Sequence, residues 1–177
     1  VDTRTEGVDF VLSYPLETAA GGRFDFTLAA NFNSTDVTKV PQVQLAGVTP
    51  PPVLFDHLNI LTFEEGTPED KYTATVNWSL AGFGVTARAT RYGDALAPGT
   101  TAATDFTLTA KTLIDLEARF DFTDHIRAAI GADNLTDEYP DANPAPLLNP
   151  NGTQSFNNYS PFGRSGRFVY GKLNYRF

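Results

Sequence analysis

The sequence predicts an all-β protein of about seven antiparallel transmembrane strands, and three observations carry that expectation. Helical periodicity is nearly missing, while strict alternation of apolar and polar residues recurs along the chain with turn chemistry between the stretches. The connections sort into short and long ones, in strict alternation. Each stretch also has a fitting length: about 10 residues at roughly 3.3 Å each, tilted near 40°, span roughly 25 Å, the height of the apolar band of a membrane barrel.

The first strand is expected from Gly7 to Leu16, with Val8, Phe10, Leu12, Tyr14 and Leu16 on one face. The second follows Gly21-Gly22 and sets Phe24, Phe26, Leu28, Ala30 and Phe32 against Arg23, Asp25, Thr27, Ala29 and Asn31. A third, Lys71 to Leu80, sets Tyr72, Ala74, Val76, Trp78 and Leu80 against Thr73, Thr75, Asn77 and Ser79. In the fourth, Phe83 to Tyr92, Val85, Ala87 and Ala89 oppose Thr86, Arg88 and Thr90. The fifth is the cleanest: Ile114, Leu116, Ala118, Phe120 and Phe122 oppose Asp115, Glu117, Arg119 and Asp121. The sixth, Ile126 to Leu135, places Ile126, Ala128, Ile130 and Ala132 opposite Arg127, Ala129, Gly131 and Asp133. The seventh closes the chain with Val169, Leu173, Tyr175 and Phe177 opposite Lys172, Asn174 and Arg176.

Alternation alone suits a soluble sandwich as well as a barrel, since each buries one face and wets the other. The connections decide between them. Glu17 to Gly22, Ala81-Gly82 and Thr123-Asp124-His125 are short, whereas Asn33 to Asp70, Gly93 to Ala110 and Thr136 to Ser165 are long. Antiparallel neighbours then put every short turn at one end and every long loop at the other, the rule of outer-membrane barrels. Aromatic residues at Tyr14, Phe24, Phe32, Tyr72, Trp78, Phe122, Tyr175 and Phe177 suggest two interfacial girdles. Asp25, Arg88, Asp115, Glu117, Arg119 and Asp133 are expected to face a wet lumen, because charges in succession on one face need water or partners.

Composition narrows the function. The chain has 177 residues, 13 Lys+Arg against 21 Asp+Glu for a net charge of -8, and no cysteine. Without a basic cluster there is no footprint for nucleic acid, and without cysteine there is no disulfide frame, thiolate metal site or thiol catalysis. No run of 18 apolar residues exists for a transmembrane helix, a test to which barrel strands are invisible. A chain opening at Val1 with no Met reads as one piece of something longer, with Val1 in an outer loop.

Three passages resemble the C-terminal third of TonB-dependent outer-membrane receptors. Ile114-Asp115-Leu116 through Gly131-Ala132-Asp133-Asn134-Leu135-Thr136-Asp137-Glu138-Tyr139-Pro140 is similar to the family's penultimate hairpin. Gly163-Arg164-Ser165-Gly166-Arg167, leading into Gly171-Lys172-Leu173-Asn174-Tyr175-Arg176-Phe177, resembles the final strand, with Gly171 one residue further from the end than the family's usual glycine. Thr67-Pro68-Glu69-Asp70-Lys71-Tyr72 is similar to the stretch that re-enters the barrel from an outer loop. The resemblance implies that residues 1–177 are the C-terminal portion of a 22-stranded barrel, plugged by an N-terminal domain that lies outside this sequence. It implies energised import of a scarce nutrient, a ferric siderophore first, with an oligosaccharide or cobalamin as alternatives. The implied partners are the N-terminal remainder of the receptor, TonB through the plug, outer-membrane lipid, and the barrel-assembly machinery that reads Tyr175 and Phe177. The implied place is the outer membrane of a Gram-negative bacterium, with no cofactor and no catalysis. The rival readings are a passive porin or secretion barrel, and a soluble β-sandwich binding module.

Candidate sites are few. His57 and His125 fall at opposite ends of the expected strands and cannot form a pair; loop and turn roles suit them. Glu64, Glu65, Glu69 and Asp70 lack the spacing and glycine of a calcium loop and read as solvated, so no metal site is expected. Within the last long loop, Tyr139, Gln154, Phe156, Asn157, Asn158 and Tyr159 combine aromatic faces with amides, a chemistry suited to a sugar or a hydroxyl-rich siderophore.

Overall fold

Strict alternation lets every stretch pair with its neighbour while keeping its apolar residues on one side, and the resulting ladders define the structure. The computed structural model describes residues 1–42, 47, 49–144 and 154–177. Strands β1 (Asp2–Thr18), β2 (Gly22–Lys39), β3 (Asp70–Leu80), β4 (Phe83–Tyr92), β7 (Lys111–Asp121), β8 (Ile126–Asp133) and β9 (Phe168–Tyr175) form one antiparallel sheet in the order β1-β2-β3-β4-β7-β8-β9. Between them lie helix α1 (His57–Glu64) and a small hairpin of β5 (Ala95–Ala97) and β6 (Phe106–Leu108).

The register carries the face assignment across the whole sheet. Tyr14, Phe26, Val76, Ala87, Leu116, Ala132 and Val169 are successive partners in one row. The adjoining row, one residue along each strand, runs Pro15, Asp25, Asn77, Thr86, Glu117, Gly131 and Tyr170. Because side chains alternate with period two, a slip of one residue at any ladder would mix these rows. None is mixed. The apolar face is open: Leu28, Leu116, Ile130 and Leu173 are all exposed, and no large side chain is fully buried among the described residues. A soluble sandwich would cover that face with a second sheet. The other described sheet is the β5–β6 hairpin alone.

Short turns join β1–β2, β3–β4 and β7–β8 at one end. Ala81 and Gly82 both have positive φ, 45° and 87°, the geometry of a tight two-residue hairpin whose twist matches its strands. Thr123 Oγ1 accepts the His125 and Ile126 N–H groups, closing the β7–β8 turn. The aromatic ring at this end is built of Phe24, Trp78, Phe83, Phe120 and Phe122, with Trp78 Nε1 donating to the Gly21 carbonyl at 2.7 Å. At the other end Phe32 meets Tyr72 edge-on at 5.5 Å. Tyr14 lies inside these limits, paired with Phe26 in the row of Val76, because β1 stays paired as far as Thr18 and the first turn is only residues 19–21, shorter than the Glu17 to Gly22 connection expected.

Two differences from the expected strands have physical reasons. β1 and β2 run for 17 and 18 residues, far past the alternating stretch. At roughly 3.3 Å per residue they reach about 55 to 60 Å, twice the height of an apolar band. The overhang, Asp2 to Glu6 against Ser34 to Lys39, is polar on both faces apart from Val37 and is held by its ladder, by the Thr5–Thr35 hydroxyl contact at 2.9 Å and by an Arg4–Glu6 ion pair. Inside the long loops, α1, β5 and β6 are too short for their periodicity to stand out.

Candidate functional site

The polar face of the sheet is a wall of hydrogen-bonded clusters. Arg88 Nε lies 2.9 Å from Asp115 Oδ2, and Asp115 Oδ1 accepts the Asn134 N–H at 2.9 Å. Arg119 Nη1 donates to Thr86 Oγ1 at 3.1 Å, and Thr86 donates onward to Asn77 Oδ1 at 2.7 Å. Glu117 Oε2 accepts both Lys172 Nζ at 2.8 Å and the Tyr170 hydroxyl at 3.0 Å. Asp25 accepts from Arg23 at 2.8 to 3.0 Å, and Asp121 pairs with Arg127. Pairing of this kind holds charges at tolerable cost where hydration is limited.

Glycine at position 131 has a steric reason in that wall. Tyr170 reaches Glu117 by laying its ring across the intervening strand, and a Cβ at Gly131 would meet the ring at 2.5 Å. Any larger residue must push the ring away.

At the long-loop end the loops assemble into a cap around α1. Asp56 caps the helix, its side chain accepting the Asn59 N–H at 3.0 Å. That backbone hydrogen bond, with the Asn59 amide and nearby His57, holds the Asp56 carboxyl below its ordinary range despite some desolvation. His57 Nε2 reaches both Asp105 oxygens at 2.9 and 3.1 Å, and Asp105 Oδ1 also accepts the Gly99 N–H. Thr62 Oγ1 contacts the Tyr159 hydroxyl at 2.9 Å, and Glu64 Oε1 accepts the Val37 N–H at 2.8 Å. One eight-residue helix thereby ties the loops before β3, between β4 and β7, and between β8 and β9. Ala95, Ala97 and Leu108 of the hairpin are buried beside it and form a small apolar centre.

The expected loop residues are spread across this cap. Tyr139 stacks on Phe156 at 5.7 Å with 17° between the rings, and Phe156 bridges to Ala142. Asn157 is buried, with its Oδ1 accepting the Tyr159 N–H, while Asn158 is exposed. The Gln154 carbonyl accepts Asn143 Nδ2 at 2.8 Å. The rest of the loop, residues 145–153, lies outside the described residues. The four acidic residues of the third connection are drawn apart: Glu64 holds β2, the Glu65 carbonyl accepts the Leu96 N–H, the Glu69 carbonyl accepts the Asn33 N–H, and Asp70 pairs with Arg91 at 2.6 Å. His125 sits at the other end, its Nδ1 3.0 Å from the Arg176 carbonyl. Nearby, Tyr175 and Phe177 meet edge-on at 5.1 Å, with Phe177 wholly exposed.

Residues that alternation did not single out complete the site. Asn134, buried and at φ 52°, folds the exit from β8 by exchanging bonds with Glu138, while Asp137 Oδ1 accepts the Arg167 N–H. Asp141 pins Lys111 at 2.9 Å and accepts the N–H and hydroxyl of Thr109 at 2.6 Å each. Partial burial would push its carboxyl up, but the Thr109 hydroxyl, the Lys111 ammonium and the Thr109 N–H outweigh burial and hold it below the ordinary range. The Asn-Leu-Thr-Asp run at 134–137 was the available signal for the first clamp.

A family model described as TonB dependent receptor-like, beta-barrel matches residues 1–135. A mutant of the ferric enterobactin receptor from Pseudomonas aeruginosa superposes with a TM-score of 0.60 at 15% identity, over 98% of this chain and 22% of that one. The ferripyoverdine receptor of the outer membrane of Pseudomonas aeruginosa, solved with ferripyoverdine bound, superposes with a TM-score of 0.55 at 14% identity, over 97% of this chain and 19% of that one. This chain thus spans about a fifth of their length, and at such identities the likeness is one of fold. No curated protein matches the sequence.

Proposed function

Because the chain belongs to the TonB-dependent receptor-like β-barrel family, we propose that residues 1–177 form the last seven strands of a 22-stranded barrel in the outer membrane of a Gram-negative bacterium. The apolar face meets lipid and the Arg88–Glu117–Lys172 face lines the lumen. β9 closes the ring against the first strand, and β1 pairs with the strand that precedes Val1. Two open edges in a bilayer would otherwise strand backbone groups at several kcal/mol each. The short turns face the periplasm, and the α1 cap and the β1–β2 overhang face outward.

The function we propose for the whole receptor is import of a ferric siderophore, energised by TonB acting through a plug domain, with no covalent catalysis. The observation that carries the barrel on which this rests is the register from Thr3 onward, which keeps one face apolar and the other polar across all seven strands. The siderophore class draws support from the solved neighbours, which are receptors for ferric enterobactin and ferripyoverdine. To a ligand in the outer cap we assign Tyr139, Gln154, Phe156, Asn158 and Tyr159, leaving out Asn157 because it is buried, and to assembly Tyr175 and Phe177.

Uptake of iron-labelled siderophores by cells carrying the full-length receptor tests this reading. Saturable uptake that stops when the proton gradient is collapsed is the expected result; uptake indifferent to energy would make the protein a passive pore. Oligosaccharide or cobalamin uptake in place of iron would reassign the ligand and leave the barrel standing.

A further inference from the structure

We infer that a notch at the outer edge of the apolar face holds the sugar headgroup of a glycolipid, an inference that rests on the barrel reading above. The notch has a volume of about 550 Å3, and Glu6, Val8, Phe32, Ser34, Glu69 and Tyr72 are among its lining residues. It exists because the ladders end at different heights. β3 stops pairing at Asp70, opposite Phe32, while β1 and β2 run on together through Glu6 and Ser34. Past Phe32, the chain entering β3 keeps one backbone hydrogen bond to β2, from the Asn33 N–H to the Glu69 carbonyl at 2.8 Å.

The notch straddles the place where this face changes character. Val8, Phe32 and Tyr72 are all exposed on the apolar side of it. Two residues further along each strand, and so on the same face, stand Glu6 on β1 and Ser34 on β2, partners in the ladder. In a bilayer that step from apolar to polar marks the level at which hydrocarbon gives way to headgroups. The molecule that covers the notch is therefore a lipid, with its chains on the Val8–Phe10–Phe32 surface and its head beside Glu6, Ser34 and Glu69.

Charge selects the head. Arg4 is paired with Glu6 and Arg91 with Asp70, so the cations beside the notch are engaged. The side chains of Ser34 and Glu69 make no hydrogen bond or ion pair among the described residues. The notch thus offers oxygen acceptors and one uncompensated negative charge, with no free cation. A phosphate would meet carboxylates at close range without a counter-charge. An ammonium would suit Glu69, but in a phospholipid it brings a phosphate with it. Sugar hydroxyls donate to carboxylate and hydroxyl oxygens, need no counter-charge, and sit well against the Phe32 and Tyr72 rings.

Lipid retention by the full-length receptor tests the inference, read by native mass spectrometry from micelles holding equal amounts of a glucosyl diacylglycerol, phosphatidylethanolamine and phosphatidylglycerol. Wild type should retain the glucosyl lipid about two- to tenfold more than the double variant Ser34→Ala, Glu69→Ala, the effect of losing one or two hydrogen bonds. Retention of phosphatidylglycerol should not differ between them. Glu69→Gln keeps an acceptor and should keep most of the glucosyl lipid. Equal retention of that lipid by wild type and the double variant would overturn the inference, as would an equal loss of all three lipids. So would a loss confined to phosphatidylethanolamine in Glu69→Gln, which would make the notch a reader of ammonium. Heat-modifiable migration in plain phosphatidylcholine bilayers checks the underlying reading separately. Folding of wild type there upholds the barrel whatever the notch holds, and a receptor that folds only in water would remove the premise.

Discussion

Strands β3, β4 and β7 are held to one another by uninterrupted ladders from Lys71 to Leu80, Phe83 to Tyr92 and Lys111 to Phe120, whereas α1 and the β5–β6 hairpin keep their places through single contacts such as His57–Asp105 and Thr62–Tyr159. In the wall, every residue's backbone is paired and each side chain's face follows from its place in the strand. In the cap, position depends on which polar atoms happen to meet. A substitution in the wall is therefore felt along the register, while one in the cap stays local.

The sharpest way to break this contrast is to place a charge on the apolar face. Leu116→Arg should cost roughly 2 to 4 kcal/mol near the bilayer midplane and sharply lower the amount of folded receptor, read by heat-modifiable migration of the full-length protein. Glu117→Gln, one residue away on the other face, keeps acceptors for Tyr170 and Lys172 and should fold normally. Equal effects of the two would mean that the faces are not what the register makes them.

A smaller loss is expected at Gly131. Gly131→Val drives Tyr170 off its path to Glu117 and should cost about 1 to 3 kcal/mol, as overpacking does. Tyr170→Phe removes the hydroxyl but keeps the ring, and should cost less. Adding Tyr170→Ala to Gly131→Val should recover part of the loss, because the ring is the obstacle; if it recovers nothing, the clash is not the cause.

The same contrast explains how far the sequence could be read. The apolar and polar rows were legible because period-two alternation persists over ten residues, and Phe26, Val76 and Leu116 do fall in one row. The β1–β2 overhang was not, since Thr3 to Glu6 and Ser34 to Thr38 hold one apolar residue, Val37, too few to alternate, and only the ladder extends. Helix α1, at eight residues, is shorter than a helix that stands by itself, and its apolar residues follow no single face. Only Asp56 before His57 offered a cap signal. Tyr170 was passed over because an aromatic among Lys172 and Asn174 breaks the polar pattern, although reaching Glu117 across Gly131 is what gives it that place.

Within the cap, Asp56→Ala should loosen α1 and leave the wall untouched. It removes the bonds to Asn59, so amide exchange should rise across residues 57–65 and fall off beyond Asp105 and Tyr159, the contacts that tie the helix to its neighbours. Faster exchange in β3 or β4 would show the cap to be coupled to the wall, contrary to the local character argued here.

The smallest effect expected is the acid response of the Asp141 clamp. Its carboxyl is held below the ordinary range in the folded protein, so folding favours the charged form. For a depressed carboxylate the stabilisation is fully present above the unfolded value of about 3.9 and is lost as pH falls through the lower folded value. Between pH 7 and about 5 the clamp should therefore be constant. Below about 4 the bonds from Thr109 and Lys111 weaken, and the segment beginning at Asp141 should part from the start of β7 while the ladders persist. Exchange of the Thr109 N–H, corrected for its intrinsic pH dependence, reads this directly. In Asp141→Asn the amide cannot titrate, so Thr109 should exchange faster than in wild type at pH 7 and show no further step in acid. A step that survives in Asp141→Asn would place the acid-sensitive group elsewhere in the cap.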